Sequence, residues 1–375
     1  VLKPGSSALP GRRYNPIMPE TARRRVLTGD TPTGSLHIGH WVGSVKRRVE
    51  IQETHDCFFL VANLHAFTTR ADKPEDIRRD CMEVVRDALA MGIDPSKASI
   101  FLQTEVPAIL ELTYLFSMLL PYNRVMRNPT LKDELKVKGL EDNYSFGFPL
   151  YTVGQTADIL AFRAHDVPVG EDQVPHLELT REVARRFNKF YCGVPDKAPD
   201  EEHVDLGGVF PIPEADVGKV GRLVGTDGIQ KMSKSLGNSI LITDTPKQVK
   251  KKLGKIYVGI DNRQPNDPGE VDPEKNPLFQ YVETFIDSDD EVAELRDRYA
   301  RGDNIGDGVI KVRVAEVISE LLEPMQERRR QYESDDVVMD ILHDGCQKAI
   351  AATEETLAMA KEAASLRFFD RSINI

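Results

Sequence analysis

Residues 25–41 read RVLTGDTPTGSLHIGHW, and the order of residue types here sets the reading of the whole chain. A short apolar run, Val26 to Gly29, gives way to a turn over Thr31 to Gly34, and a helical pattern begins near Ile38. Strand, tight turn, helix is the first unit of a parallel α/β sheet, whose ligands collect beyond the carboxyl ends of the strands. His37 and His40 stand at i and i+3 and share one face at the mouth of that helix. Between them Gly39 leaves bare backbone against which a flat ring can lie. Free N–H groups at a helix start attract phosphate, and imidazoles add donors that can follow charge growing on an oxygen. A pair of capping or surface histidines would look the same in this stretch alone.

The same grammar continues outward. DCFFLVA (56–62), a helical pattern over 74–91 and ASIFLQ (98–103) give strand, helix, strand again. ILELTYLFSMLL (109–120) is apolar enough for a buried helix or a dimer seam. A helix over about 144–163 leads into DVPVGEDQ (166–173), with VPV as a strand and GEDQ as its exit turn, and then into the helix PHLELTREVARRFNKF. From about residue 246 the apolar positions recur only at helical spacing, with long candidates at 309–333 and 335–365. The expected organisation is therefore a loosely ordered extension over 1–22, which holds four prolines, an α/β domain over 23–245, and a smaller all-helical domain over 246–375.

The chain has 375 residues and a formal charge of −11, which argues against coating nucleic acid non-specifically, since that affinity comes from lysine and arginine neutralising phosphates. Any contact with a polyanion has to be local. The basic clusters are Arg23-Arg24-Arg25, Lys46-Arg47-Arg48, Lys250-Lys251-Lys252 and Arg328-Arg329-Arg330, each a solvated helix face or a phosphate contact. Four cysteines lie far apart with no C-x-x-C spacing, which suggests neither a zinc knuckle nor an iron–sulfur cluster and fits a reducing cytoplasm. No run approaches the ~18 apolar residues of a membrane span.

A second cationic element is Lys231-Met232-Ser233-Lys234-Ser235, inside TDGIQKMSKSLGNS (226–239). Two lysines three residues apart, with small hydroxyl residues around them and Gly228 and Gly237 on either side, make a loop able to close on a polyphosphate. No Gly-x-x-x-x-Gly-Lys-Ser/Thr run is present, so a phosphate-loop NTPase has no anchor here.

HIGH after a first strand, and KMSKS about 190 residues later before a helical region, together resemble the class I aminoacyl-tRNA synthetases. Within that class GDTPTGSLHIGH, NLHA (63–66), TADIL (156–160) and VPVGEDQVPHLELTRE look like the tryptophanyl-tRNA synthetase family, in order over roughly residues 25–365. The resemblance implies a Rossmann-like doubly wound sheet and a two-step reaction. The tryptophan carboxylate attacks the α-phosphorus of ATP, pyrophosphate leaves with Mg²⁺, and the adenylate then esterifies tRNA(Trp). Such chemistry depends on positioning and charge stabilisation rather than on a protein nucleophile.

By the family pattern His37 and His40 meet the ATP phosphates, Thr33 the departing pyrophosphate, and Lys231 and Lys234 the β- and γ-phosphates. Thr31, Gly39, Met232 and Ser233 lie beside the nucleotide, and Gly170 and Asp172 hold the ribose hydroxyls. His65 and Gln173 match positions next to the amino acid's ammonium and carboxylate, and Tyr151 and Gln155 belong to the same pocket. The family also implies a homodimer with one tRNA across both subunits, and a helical domain that reads the anticodon, with Lys250 to Lys255 and Arg328 to Arg330 as candidate phosphate contacts.

Asp158 is the residue expected to name the substrate. An indole N–H can only donate, so a tryptophan pocket needs an acceptor at the far end of an apolar slot. The order Tyr151, Gln155, Asp158 also resembles a tyrosyl-tRNA synthetase pocket, which makes tyrosine the competing substrate. A smaller nucleotidyltransferase with an HxGH signature, and a synthetase paralogue kept for a protein partner or a regulatory role, are the readings from other classes.

Overall fold

The computed structural model describes residues 23–140, 143–217, 223–258, 263–371 and 373, apart from the side chain of Asp172. The extension expected over 1–22 lies outside these residues. Five strands, β1 (Arg25–Asp30), β2 (Asp56–Val61), β3 (Ala98–Leu102), β4 (Asp166–Val169) and β5 (Glu214–Val217), form one sheet in the order β3-β2-β1-β4-β5. Every pairing is parallel. The chain runs outward from β1 to β3, then returns to β4 on the other side, so the switch point lies between β1 and β4. In open α/β sheets the ligand crevice opens there, beyond the carboxyl ends.

Successive strand residues feed opposite faces, as the pleat requires. Val26, Cys57, Phe59, Val61, Ala98 and Ile100 enter one core, with the helix Pro74–Met91 and helices from Pro277–Phe285 and Asp307–Arg330. Leu27, Phe58, Leu60, Phe101 and Val167 enter the other, with the helices Pro107–Ser117, Gly147–Ala161 and Val174–Cys192. Burial on both faces explains why DCFFLVA reads as a continuous apolar run rather than an alternating one.

The helices expected near 309–333 and 335–365 run Asp307–Arg330 and Asp335–Ala363. No strand occurs after residue 246 among the described residues. The last helix lies directly on the edge strand: a Cβ added at Gly345 would stand 1.8 Å from the Ile100 carbonyl oxygen. Its earlier residues Val338 and Leu342 join the first core and its later residues Ala349 to Ala360 the second, so it wraps the β3 edge that would otherwise stay open to another chain.

The helix expected over about 38–53 is broken into a turn at Ile38–His40, a π segment at Trp41–Val45 and an α-helix at Lys46–Ile51. A π segment within a helix is frequent at functional sites, and this one begins at the residue after His40.

Candidate active site

The TPTGS turn leaves β1 at the switch point and is held by long-range bonds. Gly34 has φ +90°, a conformation that suits glycine, and a Cβ there would meet Asp80 Oδ1 at 3.2 Å and Lys234 Nζ at 3.5 Å. Arg70 joins Asp80 at 2.6 Å to the carbonyl of Pro32, and Leu36 N donates to Asp87 Oδ2 at 2.6 Å. Asp30, at the end of β1, takes two bonds from the buried Arg48 guanidinium, at 2.5 and 3.1 Å. Burial pushes Asp30 up, but Arg48 and the nearby His40 more than offset it, so Asp30 stays ionised.

The two imidazoles are packed together, their ring centroids 3.8 Å apart. His37 N donates to His40 Nδ1 at 3.1 Å, which puts the proton of a neutral His40 on Nε2. Burial, with His40, Lys234 and Lys231 nearby, pushes the His37 pKa down to about 2. Burial does the same to His40, only partly countered by Asp30, and takes it to about 4. Both rings are therefore neutral near pH 7. His37 Nδ1 is buried and has no hydrogen-bond partner. A Cβ at Gly39 would come within 2.9 Å of that atom and 3.4 Å of Met232 Sδ, so imidazole and thioether both lie against the bare glycine.

KMSKS meets this turn from across the chain. Lys234 Nζ donates to the carbonyls of Thr33 and Ser35, each at 2.7 Å. Burial lowers its pKa, with Asp80 and Asp87 acting the other way. Ile38 N bonds Ile240 O at 2.9 Å, and His37 bridges Leu241 in antiparallel fashion, so the segment after KMSKS runs beside HIGH. Met232 is buried, Ser233 is half-buried and Lys231 is exposed. Thr31 and Thr33 are exposed on the turn. Asn238 fixes the loop's shape by accepting from Ser233 N at 2.7 Å and donating to Asp227 Oδ2 and Lys231 O.

The residues expected to line the amino-acid pocket lie on the helix Gly147–Ala161, where Tyr151, Gln155 and Asp158 at i, i+4 and i+7 share one face. Asp158 is 1 % exposed and accepts two bonds from Gln103 Nε2, at 2.8 and 3.0 Å. Burial raises its pKa to about 7, and the Gln103 bonds oppose that rise. His65 Nε2 lies 3.6 Å from Asp158 Oδ2 and 3.0 Å from Gln103 Nε2. Burial takes the His65 pKa to about 4. The Tyr151 hydroxyl reaches His176 Nε2 at 3.4 Å, and Gln155 Nε2 donates to Gln173 Oε1 at 3.4 Å. Gly170 is exposed in the turn after β4, and the Asp172 backbone follows it in the short helix Glu171–Gln173. The Asp172 side chain lies outside the described residues.

Sequence reading missed Gln103 and His176. Gln103 is the last letter of ASIFLQ, a polar residue at the carboxyl end of an apolar strand, and that position was its one available signal. The basic clusters divide into exposed members and members held by the fold. Arg24 pairs with Asp166, Arg25 with Asp56, Arg47 with Asp216 and Arg48 with Asp30. Arg328 Nε bonds Ala90 O at 2.8 Å, and Arg329 bonds Asp87 and Glu83. Arg25, Arg48, Arg328 and Arg329 thus serve the fold's own carboxylates and carbonyls, whereas Arg24 and Arg47 stay exposed and pair across the surface. Lys250 and Lys251 remain exposed.

Residues 19–323 match the family model of class I tRNA synthetases of the W and Y type. The tryptophan–tRNA ligase of Clostridium longisporum is 40% identical over 352 residues, 93% of this chain and 99% of that one. That of Treponema pallidum is 42% identical over 349 residues, 91% of this chain and 97% of that one. The fold superimposes on a Campylobacter jejuni tryptophanyl-tRNA synthetase solved with ADP and tryptophan, at TM-score 0.75 and 32% identity, covering 91% of this chain and all of the other. With the HIGH turn leaving the end of β1, the KMSKS loop bonded across it and a buried carboxylate on the helix Gly147–Ala161, and with relatives matching at this identity over nearly their whole length, the chain belongs to the tryptophan–tRNA ligases of the class I aminoacyl-tRNA synthetase family.

Proposed function

We propose that the chain activates L-tryptophan with ATP to tryptophanyl-adenylate and transfers the tryptophanyl group to tRNA(Trp). The observation that carries this reading is the Lys234 ammonium lodged on the Thr33 and Ser35 carbonyls, which unites two distant cationic elements beside the switch point. His37 and His40 are neutral donors there, suited to phosphate oxygens whose charge grows as the α-phosphorus is attacked. Lys231 and Lys234 take the β- and γ-phosphates, and Thr33 the pyrophosphate as it departs. Gly39 receives the adenine, flanked by Thr31, Met232 and Ser233, and Gly170 and Asp172 receive the ribose. Asp158 accepts the indole N–H, with His65, Tyr151, Gln155 and Gln173 around the rest of the amino acid.

Among the described residues no group of three or more histidine, cysteine, aspartate and glutamate side chains could hold a metal ion. We read Mg²⁺ as arriving with the triphosphate, where it would help neutralise the leaving pyrophosphate. The region after residue 246 reads the tRNA, with Lys250 and Lys251 as exposed cations for its phosphates. We read the active unit as a homodimer. Leu110, Tyr114, Met118 and Tyr122 stand exposed along and just beyond the helix Pro107–Ser117, while Ile109, Leu112 and Phe116 fill the core. No helix among the described residues is long and apolar enough to cross a membrane. Four free thiols support a reducing cytoplasmic location.

Amino-acid-dependent pyrophosphate exchange tests the assignment. Exchange with tryptophan and not tyrosine is expected, and exchange with tyrosine alone would overturn it. A site built around a buried polar acceptor discriminates against a lookalike without the donor by about 10⁴ to 10⁵, so phenylalanine should give none.

A further inference from the structure

The end of the helix Asp307–Arg330 reaches both catalytic motifs through bonds that the roles above leave unexplained. Gln326 Nε2 donates to the carbonyls of Ile242 and Asp244, at 2.8 and 3.0 Å, on the segment that leaves the KMSKS loop. Arg329 Nε donates to Asp87 Oδ1 at 2.7 Å, and its Nη2 reaches Glu83 Oε2 at 2.5 Å. The Asp87 side chain is fully buried, and its other oxygen accepts the Leu36 N–H. Leu36 is the residue before His37. Guanidinium, carboxylate, backbone N–H and imidazole thus form one continuous chain, from a helix beyond residue 246 to the phosphate-directed ring.

The segment Ser35–His37 needs such support. It precedes the first helical turn, and apart from the local bonds between His37 and His40 its backbone is held by distant partners: Lys234 on Ser35 O, Asp87 on Leu36 N and Ile242 N on Leu36 O at 3.4 Å. A loop held in this way takes its position from whatever its partners are fixed to. Asp87 sits on the helix Pro74–Met91 but is neutralised by Arg329, and a buried carboxylate without its cation would take up a proton or move.

We propose that Asp87 and Arg329 are positioning residues for adenylate formation: the pair fixes the Leu36 N–H, and through it His37, to the helix Asp307–Arg330, so that the helical region sets the geometry of the ATP site. The proposal rests on the reading of His37 and His40 as donors to ATP. A misplacement of about 1 Å at a reacting centre can cost on the order of 10²-fold in rate, so loss of this anchor reaches the chemistry without removing any group that touches substrate.

The test uses the full chain. In Asp87→Leu/Arg329→Met, apolar side chains of similar size replace the buried pair, an exchange that commonly preserves stability. The kcat for tryptophan-dependent pyrophosphate exchange, per active site counted by titration, should fall roughly 10- to 100-fold while the KM for tryptophan stays within about twofold. Arg329→Met should be slowed at least as much, whereas Arg329→Lys, which keeps a cation for Asp87, should recover most of the rate. A folded double variant at the wild-type rate, with His37→Ala slow in the same assay, would overturn the proposal and leave the imidazole roles standing. Wild-type rates in both would overturn the imidazole assignment and this proposal with it. If the double variant does not fold, Arg329→Met against Arg329→Lys decides: equal rates per titrated site would sink the idea.

Discussion

Lys234 Nζ lies 2.7 Å from the carbonyl oxygen of Thr33, 201 residues earlier in the chain, and at the same distance from that of Ser35. Those acceptors are neutral, and a phosphate oxygen is a stronger partner for an ammonium than a carbonyl. An arriving triphosphate is therefore expected to draw Lys234 from the turn toward itself. Lys234→Met should lower kcat for pyrophosphate exchange about 10²- to 10³-fold, in line with the loss of one transition-state donor. Tryptophan binding, measured by equilibrium dialysis without ATP, should not change. A variant that exchanges at the wild-type rate would remove this lysine from the chemistry.

Asp158 gives the pocket a pH dependence with a definite sign. Burial, opposed by Gln103, sets its pKa at about 7, and only the ionised carboxylate is the strong acceptor for the indole N–H. Tryptophan affinity should be level above that value and weaken as pH falls through it. His65, at about 4, titrates below the window. Asp158→Asn should bind tryptophan more weakly with no bend between pH 5.5 and about 8. Folding carries the opposite preference: a carboxyl whose folded pKa is raised stabilises the fold below its unfolded pKa of about 4, and that contribution is lost as pH rises through the folded value. Asp158→Asn should consequently raise the thermal midpoint more at pH 8 than at pH 5, a difference that calorimetry would detect. Identical gains at both pH values would mean that Asp158 is not held near 7.

Gln103 sharpens the same test. Its two bonds stabilise the charged form of Asp158, so Gln103→Leu should move the bend in tryptophan affinity to higher pH. At pH 7.5 the variant should bind poorly and recover as pH is raised toward 9. Weak binding with an unmoved bend would show that Gln103 shapes the pocket without tuning the carboxylate.

What the sequence made legible, and what it hid, follows from the range of the forces involved. RVLTG, DCFFLVA and ASIFLQ read as strands, and 74–91 as a helix ending at Gly92, because burial on both faces and local capping leave their mark within a few residues. HIGH and KMSKS read as a pair because each is a compact motif. The partners of Arg48, Arg328 and Arg329 lay out of reach, since a charged run looks identical whether it faces water or a carboxylate supplied by a remote element. Gln103 was hidden for a related reason. Its importance comes from Asp158, 55 residues on, which only the folded sheet brings alongside it.

Gly39 tests the space beside the imidazoles. A methyl group there would stand 2.9 Å from His37 Nδ1, closer than side chains tolerate, and 3.4 Å from Met232 Sδ. Gly39→Ala should displace the His37 ring and occupy the surface assigned to adenine. The KM for ATP should rise, and kcat fall, by roughly tenfold or more, with tryptophan affinity intact. Equal losses in ATP and tryptophan affinity would indicate general disruption of the cleft rather than a clash at the nucleotide.

The helix Pro107–Ser117 carries the last prediction. Ile109, Leu112 and Phe116 are buried, whereas Leu110, Tyr114 and Met118 are 46%, 72% and 62% exposed and recur every four residues as one stripe. A core helix would leave its outer stripe polar, so this pattern asks for a second surface, and a copy of the same chain supplies one by twofold symmetry. Sedimentation equilibrium at micromolar concentration should give twice the chain mass for the wild type. Tyr114→Glu places a charge at the centre of the stripe, where its desolvation opposes association, and should sediment at the mass of one chain. Tyr114 packs little within its own subunit, so the variant's secondary structure should be unchanged by circular dichroism. A dimer that survives the substitution would move the seam to another face of the molecule.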